Sequence, residues 1–128
     1  MTDLLCCIAA MGLHLGSAHV GHQPVDDLNP VNPGLYVELR SGWTAGAYYN
    51  SVRRTSLYAG YQWHGPAWGL VRPAVTLGAI TGYLGGPLLA VVPSAYVDLG
   101  GWGARLSYIP KVQATKVHTL HFALERRF

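Results

Sequence analysis

Apolar residues fall on every second position along much of this chain. In the C-terminal run, Leu120, Phe122, Leu124 and Phe128 share one face, while His121, Ala123, Glu125 and Arg127 share the other. Period two marks a strand whose two sides meet different surroundings. The alternation recurs upstream. In 34–41, Leu35, Val37 and Leu39 oppose Tyr36, Glu38 and Arg40. In 55–63, Leu57, Ala59, Tyr61 and Trp63 oppose Ser56, Tyr58, Gly60 and Gln62. In 69–82, Val71, Val75, Leu77 and Ala79 oppose Arg72, Ala74, Thr76 and Gly78. In 102–109, Trp102, Ala104, Leu106 and Tyr108 oppose Gly103, Arg105 and Ser107. Segment 43–50 is a further short strand, and 87–98 is one that is more uniformly apolar. The turn Asn29-Pro30-Val31-Asn32-Pro33-Gly34 forbids helix. With 117–128 these make seven strands. An eighth is expected from residues 18–27, because single-chain bacterial barrels carry even strand numbers.

The charges decide how such strands close. Glu38, Arg40, Arg72, Arg105, Glu125 and Arg127 all fall opposite the aliphatic face. A small eight-stranded barrel has a lumen filled by side chains, where charges of both signs must pair. A soluble sandwich reverses the two faces, so alternation alone fits both. The terminal strand ending on Phe128 and the aromatic supply favour the membrane: Tyr 8 and Trp 4 stand against Phe 2, with Gly 16. Such aromatics suit girdles at the lipid–water boundary. Half the residues are hydrophobic, yet no uninterrupted apolar run reaches the ~18 residues that a membrane helix needs. The expected fold is therefore all-β: an eight-stranded antiparallel transmembrane β-barrel in the bacterial outer membrane. The net charge of +3 comes from scattered basic residues, which form no nucleic-acid patch.

Residues Leu4 to Ala18 are apolar and end in Gly16-Ser17-Ala18, a small-residue boundary like that of a secretory leader. The chain is accordingly divided into a signal peptide, 1–18, and a barrel, 19–128. Met1-Thr2-Asp3 lacks the usual basic residues, which points to a truncated start. The alternative for this segment is an N-terminal helix. Cys6 and Cys7 would leave with the leader.

A set of short motifs then occurs in order: Tyr48-Tyr49-Asn50-Ser51, Leu57-Tyr58-Ala59-Gly60-Tyr61-Gln62-Trp63, Val91-Val92-Pro93, Ser107-Tyr108-Ile109-Pro110 and Arg127-Phe128. Their order and spacing resemble the lipid A palmitoyltransferase family over roughly residues 46–128. The resemblance implies acyl transfer from a phospholipid to lipid A, without metal or soluble cofactor, by a membrane monomer at a His/Asp/Ser site on the outer rim. By position Ser51 matches the family serine, and Asn50 stands where the family has aspartate. The histidine would be His19 or His22, with His19 preferred. Imidazole is a suitable base for a hydroxyl that attacks or steers an ester. Asn50 can orient such a ring but supplies no charge, and Asn is tolerated in that role elsewhere. The plainer reading of Asn50-Ser51 is a turn-forming pair. His14, His64, His118 and His121 are read as structural.

Pro93 and Pro110 match family prolines. Proline cannot donate to a β-ladder, so a strand can part from its neighbour there and open a lateral slot for a lipid tail. The plainer reading is a strand end, and it is stronger for Pro110. Gln62 aligns with the family glycine that measures chain length. A glutamine pointing inward would fill the floor of an acyl pocket, so a chain shorter than palmitoyl, or none, is expected. The alternative function is a non-catalytic outer-membrane barrel, structural or lipid-binding, that has lost the family's chemistry.

Overall fold

The computed structural model describes residues 7–20, 30–50, 53–82, 86–109 and 118–128. The eight strands are β1 (Ile8–Val20), β2 (Val31–Leu39), β3 (Trp43–Tyr49), β4 (Thr55–His64), β5 (Val71–Ile80), β6 (Leu88–Val97), β7 (Trp102–Ile109) and β8 (His118–Arg127). Each pairs antiparallel with its sequence neighbours, and β1 pairs with β8, so the sheet closes into an eight-stranded barrel. Short connections, 40–42, 65–70 and 98–101, lie at the end where β1 starts and β8 finishes. The other end carries the connections 21–30, 50–54, 81–87 and 110–117.

Seven strands lie close to where the alternation puts them, but the position expected for the eighth is corrected. It is β1, Ile8–Val20, rather than 18–27. Residues 8–18 of the segment read as a leader form barrel wall, and residues 1–6 lie outside the described residues. Two features hid this strand. Its luminal positions near the start, Ala10 and Gly12, are small and apolar, so alternation with Met11 and Leu13 reads as one apolar run. A register shift between His14 and Gly16 in both ladders then moves the phase by one residue. Such a bulge re-aims side chains. Here His14 lies opposite Ala123 and Ser17 opposite His121, both positions of the luminal face.

The outer face is apolar. Leu35, Leu57, Leu77, Leu89, Val91, Leu106, Phe122 and Leu124 are all exposed, Leu89 at 82%, whereas Glu125 is 1% exposed. Water on the outside would make this arrangement unstable; hydrocarbon makes it the favourable one. The chain is thus a transmembrane β-barrel. All four tryptophans, Trp43, Trp63, Trp68 and Trp102, sit on the outer surface at or near the short-turn end and are exposed there. Trp43 and Trp63 each pack against Tyr61, at 5.4 and 4.8 Å between ring centroids. Inside, bulky rings are seated against glycines. A Cβ on Gly12 would stand 1.9 Å from Tyr36 Cζ, and one on Gly46 would stand 2.6 Å from Tyr58 Cζ.

Two outcomes follow from this wall. A chain that begins at His19 lacks most of the strand that closes the barrel, and it is expected to give no heat-modifiable folded band on gels. A folded band from that chain would contradict the assignment of β1. Leu77→Arg puts a charge at mid-strand on the lipid face and is expected to cost about 2–4 kcal/mol in vesicle unfolding titrations.

Candidate functional site

The lumen is built in three levels. At the short-turn end a four-charge network fills the bore. Arg105 Nε donates to Glu125 Oε1, and Arg105 Nη1 donates to Ser94 Oγ at 2.7 Å. Arg127 Nη2 donates to Glu38 Oε1 at 3.0 Å, and Arg127 Nε lies 3.3 Å from Glu125 Oε2. His64 Nε2 donates to Glu38 Oε2 at 2.6 Å, and Tyr36 Oη donates to Glu125 Oε1 at 2.6 Å. Both guanidinium groups lie over the Tyr96 ring, at 4.7 Å from its centroid for Arg105 Cζ and 4.2 Å for Arg127 Cζ. Two carboxylates face two guanidinium groups, which is the balance that burial of ions demands. Of the six charges expected to face inward, these four do. Arg40 lies in the β2–β3 turn and Arg72 near the start of β5, and both are exposed at the short-turn end.

The middle level is aromatic on one side and open on the other. His14 Nδ1 and His121 Nε2 are 2.7 Å apart, and His14 Nε2 is 2.8 Å from Tyr58 Oη. The rings of Tyr36, Tyr48 and Tyr58 pack around His14. These bulky residues come from β1 to β4 and β8. The facing strands carry small or aliphatic luminal residues instead, among them Gly78, Ala90 and Val92. The space left between the two halves is a cavity of about 140 Å³ whose lining is overwhelmingly apolar. That is close to the ~150 Å³ in which a benzene-sized guest is held. Gln62, buried in the wall of this cavity, faces inward as its phase requires.

Among the described residues, the wall beside the cavity misses pairs at one seam. β6 pairs with β5 from Leu88 to Val97, but with β7 only at Ser94, Ala95 and Tyr96. Among the described residues the β6–β7 ladder stops at Ser94 opposite Ser107, and Pro93 and Val92 are not paired with Tyr108 and Ile109, which that register would place opposite them. A residue without an N–H cannot continue such a ladder on the side its nitrogen faces. Val92 on one side of this gap and Ile109 on the other both line the cavity.

At the long-loop end the rim is polar. Ser17 Oγ lies 3.4 Å from His19 Nε2 and donates to Asn32 Oδ1 at 2.5 Å. Asn32 Nδ2 donates to Tyr49 O at 3.0 Å. This chain of contacts crosses β1 and β2 and reaches Tyr49 of β3, the neighbour of Asn50. Asn50 is fully buried: its Nδ2 donates to Ser56 Oγ (2.8 Å) and Gly82 O (3.0 Å), and its Oδ1 accepts from Arg54 N (3.0 Å). It thereby closes the β3–β4 hairpin and ties it to the β5–β6 connection. Arg53, in that hairpin, has φ 61°, a left-handed backbone that non-glycine residues seldom adopt.

His19 and Asn50 thus stand at the same end of the barrel, on strand ends separated by β2. Ser51, His22 and Pro110 lie outside the described residues. The paired His14 and His121 and the His64 contact with Glu38 were not recognised as a luminal network from sequence. Their inward phase was the available signal, but pairing across the bore depends on which strands face each other.

No protein-family model and no curated protein sequence matches this chain. Among solved structures it is similar to the solution NMR structure of the de novo designed protein TMB2.3, with a TM-score of 0.60 and 14% sequence identity over 100% of this chain and 98% of that one. The likeness is one of fold.

The ionic plug makes a quantitative expectation. Glu125→Ala leaves Arg105 and Arg127 with Glu38 alone, and is expected to cost about 3–5 kcal/mol in unfolding titrations, as removal of one partner of a buried pair does. Glu125→Gln, which keeps the acceptor for Tyr36, should cost less. Equal stability of all three barrels would show that the network carries no net weight.

Proposed function

We propose that this chain is a bacterial outer-membrane barrel that admits a lipid acyl chain through its wall and transfers it from a phospholipid to lipid A at the long-loop rim. The observation that carries this reading is the gap in the β6–β7 ladder at Pro93, bordered by residues that also line an apolar luminal cavity. A tail in the bilayer meets the barrel laterally, so an opening in the wall is the route that avoids exposing it to water. The rim supplies polar groups where the ester would then lie. His19 and Asn50 share that rim, and Ser51 follows Asn50 directly.

The chemistry asked of such a rim is modest. An acceptor hydroxyl attacks the ester carbonyl; a new ester bond forms and the old C–O bond breaks, releasing a lysophospholipid. The hydroxyl proton passes to imidazole and from there to the leaving oxygen. The ester bond energy is conserved, so the transfer needs no soluble energy source. Ser51 would steer or relay at the carbonyl, and Asn50 would fix the loop that carries it. Arg53 holds backbone strain two residues on, and such strain clusters at sites that need fixed geometry.

The engagement of Asn50 favours a second reading. Three side-chain hydrogen bonds of Asn50 serve the hairpin and its neighbour, and it is buried. A residue so held acts as a pin, which suits a barrel that binds a tail without turning it over.

Lipid A from cells with and without the protein separates the two by mass spectrometry. A new acylated species that Ser51→Ala abolishes is the expected result; an unchanged lipid A profile would leave only the binding reading. Gln62 limits the depth of the cavity, so the transferred chain should be shorter than palmitoyl. Gln62→Gly should lengthen it, and an unchanged acyl profile would refute the ruler role.

A further inference from the structure

Five rings on the crowded side of the lumen line the cavity and pack against one another as a herringbone. His14 stands 5.7 Å from Tyr58 at an interplanar angle of 69°, and 4.8 Å from His121 at 62°. Tyr48 stands 6.1 Å from Tyr58 at 65°, and Tyr36 lies 4.8 Å from His14. Such spacings suit edge-to-face contact, in which a positive ring edge meets a negative ring face. The polar atoms of this cluster are largely spent within it and on the ionic plug. His14 contacts His121 at 2.7 Å and Tyr58 Oη at 2.8 Å, and Tyr36 Oη donates to Glu125. What this wall offers the cavity is therefore ring surface more than hydrogen bonds. The wall opposite, with Ile80, Leu88, Ala90, Val92 and Ile109, offers hydrocarbon.

We infer that the lumen is a binding site for one molecule of a single-ring aromatic hydrocarbon drawn from the bilayer. The cavity of about 140 Å³ matches the ~150 Å³ in which benzene is held, so one ring fits and two do not. A guest ring set against the five continues their herringbone on one side and packs on aliphatic side chains on the other. A saturated ring of the same size makes only the second kind of contact well. A charged guest would give up its hydration and find little to replace it. An aromatic hydrocarbon dissolves in lipid tails. Val92 and Ile109 flank the missing pairs beside Pro93 and also line the cavity, so the path from lipid to site avoids water. This inference goes beyond acyl transfer and does not rest on it: it needs the cavity and its two walls, and no residue of the rim.

The test uses the full chain in lipid nanodiscs, carbon-13-labelled at its isoleucine, leucine and valine methyl groups. Benzene and cyclohexane are the probes, compared at equal concentration in the lipid. Ile80, Val92 and Ile109 report on the cavity, while Leu89 and Val91 report on the lipid outside. Benzene is expected to shift the three inward signals along a saturating curve, and the two outward signals only in proportion to the benzene in the bilayer. It should bind about two- to tenfold more tightly than cyclohexane, the gain typical of edge-to-face ring contact. Ala90→Leu fills part of the space and should abolish the saturating response; Ala90→Val, which adds less bulk, should weaken it. Inward and outward signals that move alike would overturn the inference. So would equal affinity for the two probes, or a saturating response unchanged in both variants. None of these results bears on acyl transfer, which the lipid A profile decides separately.

Discussion

Within hydrocarbon no water is present to satisfy a backbone N–H or C=O, so every strand must have a neighbour on both sides. The β1–β8 ladder, running from Ala10 opposite Arg127 to Val20 opposite His118, meets that demand by joining the two ends of the chain. The rest of the molecule depends on this seam. Closure produces a lumen, and the lumen lets a chain with an aliphatic exterior keep Glu38, Glu125, Arg105 and Arg127 out of lipid. It also provides an interior in which tyrosines fill one half and leave space in the other. The constraint that demands closure makes any local lapse informative, and the missing pairing of Val92 and Pro93 with Ile109 and Tyr108 is such a lapse.

The slot and the cavity lie on the same side for a reason that begins with side-chain size. Tyr36, Tyr48 and Tyr58 project from consecutive strands β2 to β4 and fill their half of the bore with rings. β5 and β6 answer with Gly78 and Ala90, so the free volume lies against them. Pro93 then interrupts pairing on the next seam, where luminal filling is thinnest. Below, the ionic network closes the bore and fixes the depth of the cavity. A lipid tail admitted as we propose would enter beside Pro93 and stop against the ionic network.

How far this could be read in the sequence varied with the physics behind each feature. Alternation is a local property, and strands such as Thr55–His64 and Val71–Ile80 announce their two faces directly. β1 did not, because Ala10 and Gly12 are small where other strands are polar, and the bulge at Leu15 moves the phase. The inward charges were legible as a set, but only the three-dimensional turn positions separate Arg40 and Arg72 from the buried four. Pro93 was legible as a break because proline's missing N–H is a covalent fact. The partners of Asn50, the facing of His14 and His121, and the cavity itself depend on which strands meet across the bore. No single stretch of sequence records that.

The central claim is that apolar outward residues meet lipid while the alternate residues are shielded within. It is tested most directly by attaching a nitroxide spin label at each position from 74 to 79 of β5 in turn, in vesicles. Collision rates with oxygen, which concentrates in hydrocarbon, are then compared. The account predicts high rates at 75, 77 and 79 and low rates at 74, 76 and 78, a two-residue oscillation in phase with the outward face. A flat profile, or labels at 75, 77 and 79 reached preferentially by a water-soluble nickel chelate, would contradict it.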